Sequence, residues 1–275
     1  MPARLSIMLN EYTSGDIYIK YAVDDEPDDK DFPMHIHELC EIYLFISGDV
    51  ECLVEGTVYP LKENSLIIIR PEEAHRARIR SVERYERYAV NFSVSLINRI
   101  DPENRLLKPF FDRKIGTNNI LTAEDIDIEI VKKLFSQMCG SADDYGKRLT
   151  FTTHIYMLTD MISRAFAAKK DTRNTTFQTI EQRMVMYVNE HLFDELSVPM
   201  LAEHFYLSTS QFSRVFRKAT GASPWEYITR KRLIAAREKI QQGFSAYSAG
   251  EQCGFSDYSA FYRAYVKHFG CGPKG

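Results

Sequence analysis

The chain has 275 residues, of which 44% are hydrophobic and 27% are charged, and its formal net charge is −3. This length and apolar content suffice for two domains with hydrophobic cores. No apolar run approaches the 18 residues of a membrane span, and MPARLSIMLNEY lacks the apolar segment of a secretory signal, so we expect a cytoplasmic protein without a membrane partner. Five scattered cysteines without a C-x-x-C pair favour neither disulfides nor a zinc finger.

Short strands are predicted first, between Glu41 and Phe92. Turn-forming residues such as Ser47-Gly48-Asp49 and Lys62-Glu63-Asn64 separate them. The predicted strands are EIYLFI, VECLV, TVYPL, SLIII and RYAVNF. Strands this short and this evenly punctuated predict a small antiparallel barrel or sandwich.

Two amphipathic helices are predicted next, between Ala123 and Ala168. IDIEIVKKLFSQM and LTFTTHIYMLTDMISRAFAA place apolar residues at three-and-four spacing. Their apolar stripes are wider than one barrel flank requires, so we expect a dimer surface that includes Leu158 and Ile162, with intramolecular packing as the alternative. The polar KKDTRNTTFQ that follows is typical of a linker.

Everything beyond Ile180 reads as helical, and this end is mildly basic. It carries 12 Lys and Arg against 9 Asp and Glu, whereas the rest of the chain carries 23 against 29. The predicted helices are Ile180 to Glu190, Val198 to Phe205, Thr209 to Ala219, Pro224 to Gln242, Tyr247 to Gln252 and Tyr258 to Phe269. Ser208 and Asp257 suit N-caps, and Gly221 and Gly270 suit C-caps.

A small unit occurs twice in this helical region, 49 residues apart. YLSTSQFSRVFRKATG matches GFSDYSAFYRAYVKHFG, and each second helix has the pattern aromatic-x-Arg-x-aromatic-x-Lys. A short helix that braces a second helix with exposed Arg and small polar residues predicts a helix-turn-helix. The helix between the units spans about 28 Å at 1.5 Å per residue. Since one DNA turn is about 34 Å, one chain can place two recognition helices in successive major grooves.

The C-terminal segments LAEHFYLSTSQFSRVFRKATGASPWEYITRKRLIAAREKI and GFSDYSAFYRAYVKHFGCGP resemble the DNA-binding domain of AraC/XylS-type transcriptional regulators over about 95 residues. The candidate DNA-binding residues are Ser208, Ser210, Gln211, Ser213, Arg214, Arg217, Asp257, Tyr258, Tyr262 and Arg263. The sequence departs from that family at Ala246, Ala249 and Gly250, where two Ile and an Ala are usual, so we expect looser packing in the second unit.

The N-terminal half contains HIHELCEIYLFISG and PEEAH, which resemble the cupin signature. In cupins such a set, here His35, His37, Glu41 and His75, binds a divalent metal inside a barrel. Asp29 and Asn64 replace the signature's glycines and one spacing is a residue short. We therefore favour histidines that line an effector pocket or serve structure over a metal site, and we assign no cofactor.

Several strand residues are candidates for the lining of such a pocket. The candidate effector-binding residues are His35, His37, Glu41, Tyr43, Arg70 and His75. Arg78, Tyr88 and Asn91 could also line it, although alternation alone does not say which face each one occupies.

The sequence thus predicts an α+β multidomain chain. The expected parts are a cupin-like antiparallel β-barrel that binds an effector (1–115), a helical dimerisation region (116–168), a linker (169–178) and a double helix-turn-helix DNA-binding domain (179–275). The resemblance implies a non-enzymatic transcription regulator whose barrel senses a small molecule, such as a sugar or related metabolite, and modulates promoter binding. Its expected partners are double-stranded DNA, the effector, RNA polymerase and a second copy. A metal-dependent cupin enzyme fused to a DNA-binding domain is the alternative, and an architectural DNA binder is a third.

Overall fold

The structure is a computed structural model that describes residues 6–15, 17–140, 143–169 and 179–273. The chain divides into two compact units, Met1–Thr176 and Phe177–Gly275. Except for Lys169, the expected linker 169–178 lies outside the described residues. Within the described ranges, every helix is too short or too polar to span a bilayer.

The first unit begins with antiparallel strands. They are β1 (Ser6–Ser14), β2 (Ile17–Asp24), β3 (Cys40–Ser47), β4 (Val50–Val54), β5 (Thr57–Pro60), β6 (Leu66–Ile69), β7 (His75–Ile79), β8 (Tyr85–Phe92) and β9 (Ile120–Leu121). The helices of this unit are α1 (Val94–Asn98), α2 (Lys108–Phe111), α3 (Ile128–Met138) and α4 (Asp144–Ala168). The five strands predicted from sequence are present, whereas β1, β2, β7 and β9 were not predicted.

The strands form two sheets. One has the order β1-β2-β8-β3-β6-β9 and the other β5-β4-β7. Tight antiparallel registers such as Ile42 opposite Ile68 and Val90 fix which side chains share a face. The predicted antiparallel β domain with flanking helices is confirmed, and no continuous ladder joins the two sheets within the described part of the chain.

The large sheet buries its outer face under the helices. Alternate residues such as Ile19, Ile42 and Val90 point away from the small sheet and pack with helix residues in one hydrophobic core. On α4 the side facing this core includes Leu158 and Ile162, both fully buried. The expectation that these two residues form a dimer surface is therefore wrong: the stripe on α4 is wide because it covers a sheet and a neighbouring helix.

The second unit is entirely helical. Its helices are α5 (Ile180–Glu190), α6 (Val198–His204), α7 (Thr209–Thr220), α8 (Pro224–Gln241), α9 (Ala246–Gln252) and α10 (Tyr258–Phe269). Each predicted helix is present, with boundaries within one residue. Ser208 and Asp257 cap the N-termini of α7 and α10, and both helices end at a left-handed glycine, Gly221 and Gly270.

The two helix-turn-helix units, α6–α7 and α9–α10, are held together from α8. The buried guanidinium of Arg232 donates to the carbonyls of Leu192 (2.7 Å) and Asp194 (2.6 Å), which follow α5, and of Gly254 (2.7 Å), which follows α9. Since an unpaired buried carbonyl is costly, these three bonds fix both the segment between α5 and α6 and the turn between α9 and α10 to α8. Lys231, one residue earlier, donates to Asn189 of α5 at 2.9 Å.

Candidate effector cavity and DNA-binding surface

The inner faces of the two sheets line a cavity of about 360 Å³. Ile17 and Ile19 of β2 face outward, and because side chains alternate along a strand, Tyr18 and Lys20 point inward. On β8 the same alternation turns Arg87 and Asn91 inward. Residues such as Ile69 supply apolar walls. The cavity therefore combines a mainly apolar lining with a few polar groups, as ligand sites usually do.

Charged side chains of both signs line this cavity: the cations are Lys20, Arg76 and Arg87, and the carboxylates are Asp31 and Glu41. Arg87 is paired with Asp24 and stacks over the ring of Tyr85, with its guanidinium carbon 4.1 Å from the ring centroid. Lys20 forms no ion pair with any described residue, and burial together with the neighbouring Arg87 lowers the pKa of its ammonium group. An unpaired, partly buried ammonium favours a ligand with a negative or strongly accepting oxygen.

Phenol groups add directional polar contacts. The hydroxyls of Tyr43 and Tyr85 hydrogen bond to each other within the cavity lining. Tyr18 also borders the cavity, where burial and the nearby Glu11 carboxylate raise its pKa to about 12. These phenols therefore stay protonated at neutral pH and can donate to a ligand oxygen.

Three imidazoles and one carboxylate meet at one side of the cavity. Ligand atoms of His35, His37, Glu41 and His75 all lie within 4.8 Å of one another. The His37 Nε2 is 2.9 Å and the His75 Nε2 is 3.3 Å from the same oxygen, Oε2 of Glu41. We call these four residues the imidazole–carboxylate cluster.

The cluster is strongly coupled. Burial alone would raise the pKa of the Glu41 carboxyl, but the imidazoles of His37 and His75 beside it hold that pKa well below its usual value. Burial and the neighbouring His75 lower the pKa of His35 to about 4. Asn91 orients the carboxylate by donating to Glu41 Oε2 at 2.9 Å. At neutral pH Glu41 is thus an anion and His35 is neutral.

In the second unit, the exposed faces of α7 and α10 carry the candidate DNA-binding residues. Arg214 and Arg263 are exposed and form no ion pair with any described residue. Two candidates already have a structural role: Ser208 and Gln211 make the reciprocal hydrogen bonds of a capping box at the start of α7. Tyr258 and Tyr262 are also exposed, with 40% and 45% of their surface accessible.

Packing behind α10 is close at one point and open beside it. A Cβ placed on Gly250 would lie 3.1 Å from the ring of Phe261, so this helix contact is tight and Ala249 beneath it is fully buried. Next to it lies a cavity of about 90 Å³ bordered by Gly250, Tyr258 and Phe261. The N-terminal turn of α10 therefore borders a small cavity rather than closely packed side chains.

The two parts of the chain that hold these sites match two known domain families. Residues 20–159 match the AraC-like ligand binding domain, and residues 201–275 match a helix-turn-helix domain. The chain belongs to the AraC-like transcription regulators. The resemblance seen in the sequence is thereby confirmed.

Similar proteins span nearly the whole AraC-like chain. The probable transcriptional regulator LumQ of Photobacterium leiognathi is 26% identical over 89% of this chain and 92% of its own. The transcriptional activator RhaS of Escherichia coli O1:K1 is 22% identical over 89% and 87%. Among solved structures, ToxT of Vibrio cholerae bound to an unsaturated fatty acid is 12% identical over 95% of both chains, with a TM-score of 0.39.

In this AraC-like regulator the structure brings together only part of the predicted effector site. The predicted residues that line the cavity are His35, Glu41, Tyr43 and His75. His37 does not line it, but its Nε2 lies 2.9 Å from Oε2 of Glu41, which does. Arg70 does not line it, because β6 ends at Ile69 and Arg70 begins the turn toward β7.

Of the further lining candidates, Asn91 faces the cavity, whereas Tyr88 packs on the outer face against Phe135 and Arg78 pairs with Glu51 at 3.1 Å. Sequence reasoning missed Lys20 and Arg87, since β2 was not predicted and the face of β8 was not assigned.

Proposed function

We propose that a small organic effector enters the cavity between the two sheets and changes how this regulator binds promoter DNA. The observation that carries the proposal is a partly polar cavity between the two sheets, on the same chain as two helix-turn-helix units whose Arg214 and Arg263 are exposed. Arginine can bind guanine bidentately in the major groove, and phosphate contacts hold the protein in place. Signalling through occupancy of the cavity requires no catalysis.

The cavity indicates the chemistry of the effector. Its volume lies in the range of ligand pockets, which is about 300–1,000 Å³. The ammonium of Lys20 and the guanidinium of Arg87 favour an anionic or oxygen-rich group, and phenols such as Tyr43 favour hydroxyl or carboxylate acceptors. A compact acidic or polyhydroxylated metabolite, including sugar derivatives, meets these requirements.

Further parts of the proposal concern partners. The regulator acts in the cytoplasm on double-stranded promoter DNA, as a homodimer, and contacts RNA polymerase when it alters transcription. An exposed apolar stripe on α4, formed by Tyr145, Leu149 and Met157, supports the dimer. These residues recur at multiples of four along the helix, on a side that the core does not cover.

The DNA-binding part is tested by selecting duplexes from a random library with the full-length chain. We expect an enriched sequence with two half-sites about 10 base pairs apart, one for each helix-turn-helix. Binding should weaken steeply with added salt, because Lys and Arg displace counterions from the phosphates. Failure to enrich any sequence at low salt would refute sequence-specific binding.

The sensing part is tested by a thermal-shift screen of acidic and polyhydroxylated metabolites. A ligand at 100 times its dissociation constant adds about 2.7 kcal/mol to the free energy of unfolding. A true effector should lose this shift in Lys20→Met and keep it in Arg78→Met, a cation outside the cavity. It should also change the affinity for the selected duplex, and a stabilising compound that leaves DNA affinity unchanged would argue against sensing.

A further inference from the structure

The second helix-turn-helix presents a row of tyrosines to solvent. Tyr258 and Tyr262 lie one turn apart on α10, and both are exposed. Tyr247 of α9 is 62% exposed. Its ring centroid lies 5.8 Å from that of Tyr258, which in turn lies 6.3 Å from that of Tyr262. We call these three residues the tyrosine row. Exposed aromatic side chains that lie together in this way mark a surface that contacts another molecule.

The internal repeat shows that the row is particular to the second unit. At the repeat distance of 49 residues, Tyr258 corresponds to Thr209 of α7 and Tyr262 corresponds to Ser213. The two recognition helices therefore present different chemistry at equivalent positions, small hydroxyl side chains on α7 and aromatic rings on α10. A scaffold that is repeated with a changed outer face suits two half-sites of different base sequence.

The charges around the row favour DNA as its partner. Arg263 and Lys267 are exposed on α10, and the helix contains no acidic residue. The Asp257 carboxylate before it accepts a hydrogen bond from the backbone amide of Ser259 at 2.8 Å, and so caps the helix. Aromatic rings beside unopposed cations suit a partner that combines phosphates with apolar groups.

Thymine supplies the apolar group that such rings can contact. The N-terminal part of a recognition helix faces base edges in the major groove, and α10 begins at Tyr258. In that groove the 5-methyl group of thymine is the apolar feature that distinguishes it from the other bases. Burial of a methyl group against a ring has no directional requirement. It therefore tolerates a helix whose first turn borders a small cavity better than a bidentate hydrogen bond does.

We propose that Tyr258 and Tyr262 contact thymine methyl groups in the half-site bound by α10, with Tyr247 packed beside Tyr258. This inference rests on the proposed DNA-binding function and specifies which base the second unit selects. Guanine recognition by arginine then belongs to α7, and thymine recognition belongs to α10.

Replacement of thymine by uracil tests the inference, because uracil keeps the base pairing and lacks only the methyl group. The full-length protein is titrated with the selected duplex and with versions that carry uracil in one half-site at a time. We expect the affinity to fall about fourfold for each methyl group that is contacted. Equal affinity for the thymine and uracil duplexes would overturn the inference, and so would a selected sequence without thymine.

Variants assign the effect to the rings. Tyr258→Ser combined with Tyr262→Ser should abolish the difference between thymine and uracil in one half-site. Tyr258→Phe combined with Tyr262→Phe should preserve it, since the rings remain. Tyr206→Ser, at a tyrosine before α7 that is 96% exposed, should also preserve it and is the matched control. Circular dichroism shows whether each variant is folded. A uracil effect that persists in the double serine variant would overturn the inference.

The outcomes separate this inference from the function on which it rests. Failure to enrich any duplex refutes sequence-specific binding and the thymine contacts with it. A duplex that binds tightly but shows no uracil effect overturns the thymine contacts alone. If the double serine variant also binds that duplex with unchanged affinity, the tyrosine row is a surface for a protein partner instead.

Discussion

Glu73 is a fully buried carboxylate that ties the turn before β7 to the segment after α2. Arg113 donates to both of its oxygens, at 2.6 and 2.7 Å, and Asn119 and the Gly116 amide add further bonds. The Arg113 side chain is fully buried as well. Burial alone would raise the pKa of the Glu73 carboxyl, but the Arg113 guanidinium beside it brings that pKa below its usual value. The backbone oxygen of Glu73 in turn accepts from His75. A buried ion pair therefore supports one wall of the cavity.

Replacing Arg113 with Met should destabilise the first unit by about 3–5 kcal/mol, because the substitution leaves a buried carboxylate without its partner. Urea unfolding followed by fluorescence measures this difference. Arg78→Met is the matched control, since Arg78 and Glu51 are partly exposed and such pairs contribute about 0–1 kcal/mol. Equal small losses from both variants would contradict the importance of the buried pair.

Gly254 occupies a crowded turn between α9 and α10. Its φ is +82°, and a Cβ there would lie 2.9 Å from the backbone oxygen of Phe193 and 2.9 Å from the guanidinium carbon of Arg232. Gly243 also has positive φ, +96°, yet its Cβ would meet no atom within 4 Å. The pair of glycines therefore separates backbone strain from crowding.

We expect Gly254→Ala to destabilise the second unit by more than Gly243→Ala. The left-handed backbone alone costs an alanine about 1–2 kcal/mol, which both variants pay, and only Gly254→Ala also displaces Arg232 from its three carbonyls. Circular dichroism at 222 nm during urea unfolding reports on both. If Gly254→Ala lowers the free energy of unfolding by no more than Gly243→Ala does, the Arg232 side chain adjusts to the added methyl group without cost.

At the scale of elements, the two recognition helices differ in their support. Both α7 and α10 have an N-cap and a glycine C-cap, but the turn before α7 has four residues and the turn before α10 has five. The first turn of α10 also borders the small cavity beside Phe261. We therefore expect α10 to hold its side chains less firmly than α7 does.

This difference predicts unequal roles for the two exposed arginines. Arg214→Ala should lose about 1–3 kcal/mol of discrimination between the selected duplex and a scrambled one. Arg263→Ala should weaken both duplexes by similar factors, as expected for loss of a phosphate contact. Fluorescence anisotropy titrations measure both affinities, with Arg183→Ala of α5 as the control. Equal losses of discrimination would mean that α10 reads bases as firmly as α7.

The helices were predictable from sequence, and the strand faces were not. Caps such as Ser208 and Gly221 and the duplicated aromatic–arginine pattern determine α7 and α10 locally, so their boundaries were predicted within one residue. The faces of β8 depend on partners far away in the chain: Tyr88 and Asn91 have opposite parity, and only the ladders to β2 and β3 decide which one meets the cavity. The same holds for the polar strand β7, whose pattern HRARI lacks an apolar face.

The histidines of the cluster were found from their spacing, but their convergence needed the fold. His35 and His75 lie 40 positions apart and are joined by an isolated β-bridge. Lys20 was missed because β2 is recognised as a strand only once it pairs with β1 and β8. The sequence thus predicts which residues carry the chemistry, whereas the strand pairing that brings them together cannot be predicted from it.

At the scale of the whole molecule, α4 presents two different apolar surfaces. Its inner residues, Leu158 and Ile162, are fully buried against the sheet, so a charge at either position would disrupt folding. Its outer residues Leu149 and Met157 are 53% and 52% exposed. A dimer of this regulator would bury the outer surface, since exposed apolar stripes on a helix commonly mark protein contacts.

We predict that Leu149→Glu combined with Met157→Glu converts a dimer to a monomer at micromolar concentration while the chain stays folded, with at most the small fall in unfolding midpoint that the loss of a partner subunit brings. Two like charges on each copy would face each other across a symmetric interface, where repulsion and the loss of apolar burial act together. Analytical ultracentrifugation measures the mass, and Lys62→Glu, an exposed charge reversal between β5 and β6, is the control. Leu158→Asp should instead lower the unfolding midpoint sharply, because it buries a carboxylate in the core. A wild-type protein that sediments as a monomer at these concentrations would refute the dimer. A double variant that stays dimeric would place the interface elsewhere on the molecule.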